Sequence, residues 1–138
     1  MSVDRIVDEM YASMSFEAGE RPDWQLQAKL FADHARLVRV NDDGVFEFDP
    51  VTFRENYEAM IESGQLRSFR ETELWRQTRE FGDIAHVLSG YEMRTKQDGD
   101  FIAIAVKSIQ LYRQNGTWRI SAMLWRREGR NLTLPRTG

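Results

Sequence analysis

Histidine, tyrosine and carboxylate side chains are the groups in this sequence that could move protons. His86 sits in the run IAHVLSGYE, in alternation with Ile84, Leu88 and Glu92. An imidazole inside a cavity serves as general acid or base near neutral pH. Glu73 or Glu92 would be its carboxylate partner, and Tyr11 a third polar group. His86, Glu73 and Tyr11 are therefore the candidate catalytic set. An isolated histidine also commonly fills a sheet and donates to a neighbour, so the same residue has a purely structural reading.

Glu71, Glu73, Trp75 and Gln77 alternate onto one face of their strand; Arg70, Leu74, Arg76 and Thr78 take the other. With Glu73 and Trp75 inward, they would meet Tyr11, Tyr57 and His86 in an aromatic pocket with polar tips. Apolar walls with a few convergent polar groups are the usual form of a ligand site. Turned outward, the same charges would make cross-strand Glu–Arg pairs of little net energy. Arg39, Lys107, Arg126 and Arg127 admit the same two readings, and an inward cation would suggest an anionic ligand. Tyr57, Trp75, Glu92 and Arg39 are the candidate ligand-binding residues.

Other chemistries lack their residues. Cysteine is absent, so there is no disulfide, thiol nucleophile or cysteine zinc site. The two histidines, His34 and His86, are far apart and give no metal-ligand spacing. No metal and no cofactor are expected. His34 reads as a surface or capping residue, and the four tryptophans as core or interface anchors. Asn131-Leu132-Thr133 matches a glycosylation triplet, but MSVDRIVDEM at the start lacks the regions of a signal peptide. The 138 residues carry a net charge of −3, which gives no footprint for nucleic acid. No run approaches a membrane span. A single cytoplasmic domain is the expectation.

The elements that must position these groups are well punctuated. Val3, Ile6, Val7, Met10 and Met14 form one helical stripe behind Ser2 as a cap. Gly19 and Pro22 break it, and Asp23 can cap a short helix carrying Trp24, Ala28 and Phe31. Ala35 to Val40 alternates as a strand, Asn41 to Gly44 turns, and Val45 to Phe48 returns as a small hairpin. Asp49 and Pro50 open the next helix, Phe48 and Phe53 staple it, and Gly64 ends it. Leu66–Phe81, Ile84–Lys96, Phe101–Gln114 and Thr117–Arg127 read as strands. Gly82-Asp83, Asp98-Gly99-Asp100 and Asn115-Gly116 separate them. Such short connections demand antiparallel neighbours. Glu128 to Gly138 reads as a polar, frayed tail. The fold class is α+β: a curved antiparallel sheet, hairpin plus four-stranded meander, covered by three helices. Long strands curl, and a curled sheet closed off by helices can enclose a pocket.

Both faces of the meander carry large apolar residues, with Ile102, Ile104, Val106 and Tyr112 opposing Ala103, Ala105, Ile109 and Leu111. One face meets the helices. The other needs a second cover, and a two-fold homodimer through the sheet supplies it.

Three segments carry a family resemblance: LFADHARLV at Leu30–Val38, FGDIAHVLSGYEMR at Phe81–Arg94 and SIQLYRQNGTWRISAMLWRRE at Ser108–Glu128. The chain resembles the nuclear transport factor 2-like superfamily, which includes SnoaL-like cyclases and ketosteroid isomerases. The last two segments are similar to an uncharacterised bacterial subgroup. The resemblance implies a cone-shaped α+β barrel, usually dimeric through its sheet, over about residues 3 to 128. It says little of activity, because this fold hosts many. Carried over, the isomerase tyrosine falls near Tyr11. Its carboxylate base falls on Arg39, which cannot accept a proton. Its later acid falls near Ile109 or Gln110. No motif supports the Asp–Arg–Asp set of the epoxide hydrolase relatives. The leading expectation is a protein that binds a small apolar or amphipathic molecule in the cone. An isomerase, hydrolase or cyclase using His86 with a carboxylate is the alternative, and a protein-interaction module is the third reading.

Overall fold

The computed structural model describes residues 1–96, 100–129 and 132–133. Asp98, Gly99 and Asn131, and so one turn signal and the glycosylation triplet, fall outside the described residues in whole or part. The helices are α1 (Val3–Met14), α2 (Trp24–Leu30) and α3 (Pro50–Glu62). The strands are β1 (Phe31–Asn41), β2 (Gly44–Phe48), β3 (Ser68–Phe81), β4 (Ile84–Lys96), β5 (Asp100–Gln114) and β6 (Thr117–Arg127).

Helix boundaries follow from side chains that satisfy otherwise orphaned backbone N–H groups. The Arg5 amide donates to Ser2 Oγ at 3.1 Å, and the Leu26 amide donates to Asp23 Oδ1 at 3.0 Å. At α3 the reciprocal capping box forms: the Thr52 amide donates to Asp49, and the Asp49 amide donates to Thr52 Oγ1. The Asp49 carboxyl is held below its usual range, first by the Thr52 amide bond. Phe48 and Phe53 meet edge to face at 6.0 Å as the staple. Gly64 takes the left-handed conformation, φ +81°, that lets the chain leave α3. β1 begins at Phe31, four residues before the sequence pattern resolves into alternation, because Phe31 pairs with Ile120.

The six strands form one sheet in the order β2-β1-β6-β5-β4-β3. The neighbours joined by turns, β1–β2, β3–β4, β4–β5 and β5–β6, run antiparallel, as expected. β1 and β6 are the exception: they pair in parallel, because β6 returns from the meander beside a strand it does not follow in sequence. The sheet is therefore mixed. It curls into a cone but stays open, with β2 and β3 as its two edges among the described residues, so the expected barrel does not close. The edge strand β3 is protected at one point by Phe16, which exchanges two backbone hydrogen bonds with Phe69, 2.8 and 3.0 Å.

Two bulges decide which side chains enter the cone. Glu73 pairs with Tyr91 but Trp75 pairs with Gly90, so Leu74 is an extra residue on β3. Gln110 pairs with Ala122 but Leu111 pairs with Ile120, so Ser121 is an extra residue on β6. Each insertion reverses the alternation beyond it. Phe69, Glu71, Glu73, Arg76 and Thr78 therefore share the concave side of β3, while Trp75 lies on the convex side. On β6, Trp118 and Ile120 are joined inside by Met123 and Trp125, and Leu124 turns out. Gly90 leaves room for the Trp75 indole, which a Cβ there would strike. Val7, Met10, Ile109, Ile120 and Met123 fill the core between α1 and the sheet. No helix among the described residues is long and apolar enough to cross a membrane.

Candidate functional site

Between α3, α1 and the concave face of the sheet lies a cavity of about 170 Å³. Phe53 and Tyr57 reach it from successive turns of α3, with rings 4.8 Å apart. Trp125 of β6 packs edge-on against Phe53 at 5.8 Å, and Phe69 of β3 against Tyr57 at 5.8 Å. Met60, Leu66 and Met93 add apolar wall. The polar groups in the lining are few: Arg39, Asn41, Glu71, Thr95, Lys107 and Arg127, with the Tyr57 and Tyr91 hydroxyls.

Lys107 and Glu71 form the inner polar wall. Their charged atoms are 2.6 Å apart, and the side chains are 2% and 5% exposed. The Lys107 ammonium lies over the rings of Tyr11 and Tyr91, 4.5 and 4.8 Å from their centres, and touches Met10 Sδ at 3.3 Å. Burial pulls the lysine below its ordinary range; Glu71 opposes that pull. Burial, with the Glu71 charge behind it, pushes the Tyr11, Tyr57 and Tyr91 phenols above theirs, so all three stay neutral.

Behind this pair runs a second polar chain. Ser89 Oγ donates to Glu73 Oε2 at 2.5 Å, and the serine has one proton to give. Tyr11 must therefore be the donor in its 2.6 Å bond to Ser89. Glu73 also takes a two-pronged bond from Arg76, at 2.9 and 2.7 Å, and Arg76 continues to Asp4 and Asp8 on α1. This network ties α1 to β3 and β4. Donating to Glu73, more than to the aspartates, raises the Arg76 guanidinium above its usual value.

The structure brings together only part of the predicted site. Tyr11 and Glu73 are joined through Ser89, outside the cavity lining. Tyr57 and Arg39 line the cavity. His86 is exposed on the convex side, level with Arg79 and Gln110, and meets neither Glu73 nor Tyr11. Glu92 is also convex and holds Arg94 at 2.7 Å. Trp75 is turned out by the β3 bulge. His34 stacks on Tyr112 at 6.0 Å on the surface. Sequence reasoning missed the pairing of Glu71 with Lys107. The signal for it was the unbroken alternation of Ala105, Lys107, Ile109 and Leu111, which places a lysine on an otherwise apolar face. No group of three or more histidine or acidic side chains able to hold a metal ion occurs among the described residues.

Neither a protein-family model nor a curated protein sequence matches the chain. Solved structures do. A hexachlorocyclohexane dehydrochlorinase, LinA-type3 from Novosphingobium barchaimii, is similar with a TM-score of 0.70 at 11% identity, over 92% of this chain and 84% of that one. An NTF2-like protein of unknown function in nutrient uptake from Rhodospirillum rubrum is similar with a TM-score of 0.65 at 20% identity, over 92% and 98%. A protein of unknown function with a cystatin-like fold from Nostoc punctiforme gives 0.66 at 14% identity, over 93% and 90%. At such identities the likeness is one of fold, and it agrees with the cone of strands, the three helices and their order: the chain has the nuclear transport factor 2-like, or cystatin-like, α+β fold.

Proposed function

We propose that the cone cavity binds a small amphipathic molecule. The observation that carries this is a buried Lys107–Glu71 pair set in the wall of an aromatic cavity. Desolvating two charges costs several kcal/mol per ion, and a hydrophobic pair of equal volume often stabilises a core as well or better. Stability alone gives little reason for this pair, whereas a ligand with a polar end gives one. A cavity of about 170 Å³ suits a compact molecule, since about 150 Å³ is enough for benzene. A thermal-shift series of acids, alcohols and amides of up to about ten heavy atoms tests it. A true ligand at about a hundred times its Kd should raise Tm by roughly 10 °C. Ala105→Leu, which fills the cavity from β5, should abolish that response. No rise with any compound, or an equal rise in the filled variant, would contradict the reading.

The partner on the other side of the sheet is, in the same proposal, a second copy of this chain. Phe81 and Ile84 are 83% and 62% exposed on the convex side, and Leu88 and Leu124 extend the apolar area across β4 and β6. The helices all lie on the concave side, so none covers this surface. It also mixes signs, with Arg79 on β3 and the Glu92–Arg94 pair on β4, as suits a face meeting itself about a two-fold axis. Sedimentation should show a dimer at micromolar concentration and a monomer for Ile84→Glu. A wild-type monomer would refute the pairing.

A further inference from the structure

Among the described residues, the cavity lining contains two buried polar atoms without a partner, Arg39 Nε and Thr95 Oγ1. Buried polar groups are nearly always satisfied, so each such group calls for an explanation. Thr95 is 6% exposed. The Arg39 guanidinium stacks over the Phe46 ring, 4.6 Å from its centre, and none of the ion pairs among the described residues includes it. Among the described residues, no other cation of the lining has a buried atom left without a partner. Lys107 is matched by Glu71, and Arg127 lies over the Phe101 ring at 5.5 Å. Among the described residues, the lining thus holds three cations and one carboxylate, Glu71.

We propose that the occupant of this cavity is a small organic monocarboxylate whose carboxylate is gripped by Arg39 and whose apolar body lies among Phe53, Tyr57 and Trp125. This deepens the proposed function and rests on it. A guanidinium presents parallel N–H groups that fit the two oxygens of one carboxylate, and the bond strengthens in a drying, low-dielectric cavity. Arg39 is held for this task from both sides. Its backbone pairs with Phe46 and Trp125 in the sheet, and its side chain is stacked on an aromatic ring. Thr95 supplies a hydroxyl donor on β4, where the cavity wall is otherwise Phe69, Phe101 and Met93. The Lys107–Glu71 pair is internally matched, so beside Arg39 it adds no net positive charge to draw a phosphate dianion. Among the described residues the one carboxylate of the lining is already held by Lys107, so a cationic ligand finds no free carboxylate among them.

The test is a matched set read by tryptophan emission, since Trp125 lines the cavity: the linear carboxylates from acetate to octanoate and phenylacetate, each against its primary amide, with 2-phenylethylamine and phenyl phosphate alongside. The proposal expects the best acid to bind at least ten-fold tighter than its amide, and the amine and phosphate to bind weakly. Arg39→Gln should remove the preference of acid over amide, and Arg39→Lys should recover part of it. The comparison of acid with amide uses the unaltered protein, so it stands even if a variant folds poorly. Amides that bind as well as acids, or phenyl phosphate that binds tighter than phenylacetate, would overturn the carboxylate assignment while leaving the cavity as a binding site. If no compound in the set binds at about 10 mM, ten times a millimolar Kd, the binding reading itself falls.

Discussion

Replacing Lys107 with methionine should lower the unfolding free energy by about 3–5 kcal/mol, the usual cost of removing one member of a buried ion pair. The side chain is the right length, so lost packing is minor. What changes is that the Glu71 carboxylate stays 5% exposed with no counter-charge. Glu71→Leu alone should cost a similar amount, by stranding the ammonium. The double variant Glu71→Leu with Lys107→Met should recover most of the loss, because both desolvation penalties vanish together. Urea unfolding of the four proteins gives the coupling energy directly. The cost of a single variant is a large part of a typical total of about 5–15 kcal/mol, so the double variant also shows whether the fold survives. A loss below about 1 kcal/mol for Lys107→Met would mean that the pair behaves as a hydrated surface bridge.

Stability should also collapse steeply in alkali. Tyr11, Tyr57 and Tyr91 each have a phenol pushed above its unfolded value of 10.0 by burial, with Glu71 behind it. Above pH 10 the native state keeps three protons that the unfolded chain gives up. Stability must then fall as pH rises, by about 1.4 kcal/mol per phenol and unit, or about 4 kcal/mol per unit in all. Lys107 works in the opposite direction but in a different window. Its native pKa lies below 10.5, so between those two values the unfolded chain binds the extra proton and stability rises with pH. Above 10.5 the lysine is neutral in both states and no longer offsets the phenols. The fall should therefore steepen past about pH 10.5. Phenolate absorbance should report three of the four tyrosines ionising together with unfolding. Gradual ionisation of all four in the native state would contradict the burial of these rings.

The helices and the order of elements were legible because their signals are local. Ser2, Asp23 and the Asp49-Pro50 pair each act within three residues of where they stand. The long strands were legible from their turns. The allocation of side chains to faces was not, because it depends on single inserted residues. Leu74 and Ser121 look like ordinary strand residues, yet each reverses everything beyond it. Simple alternation therefore grouped Trp75 with Glu73, and on β6 plain alternation would set Met123 and Trp125 apart from Trp118 and Ile120. β5 has no such insertion, so its alternation carries Lys107 onto the face of Ala105 and Ile109, a direction the sequence reading left open. His86 drew attention because imidazole is the usual proton-transfer group, but alternation on β4 put it with Ile84 and Leu88, which are convex. The parallel pairing of β1 with β6 was also out of reach, since it joins segments about ninety residues apart with no turn between them to read.

A crystal structure of the protein with phenylacetate tests the central claim most directly. The ring should lie among Phe53, Tyr57 and Trp125, with the carboxylate within hydrogen-bond distance of Arg39 and the Lys107–Glu71 pair intact beside it. A cavity holding only ordered water at saturating phenylacetate, with the acid bound elsewhere or nowhere, would contradict it.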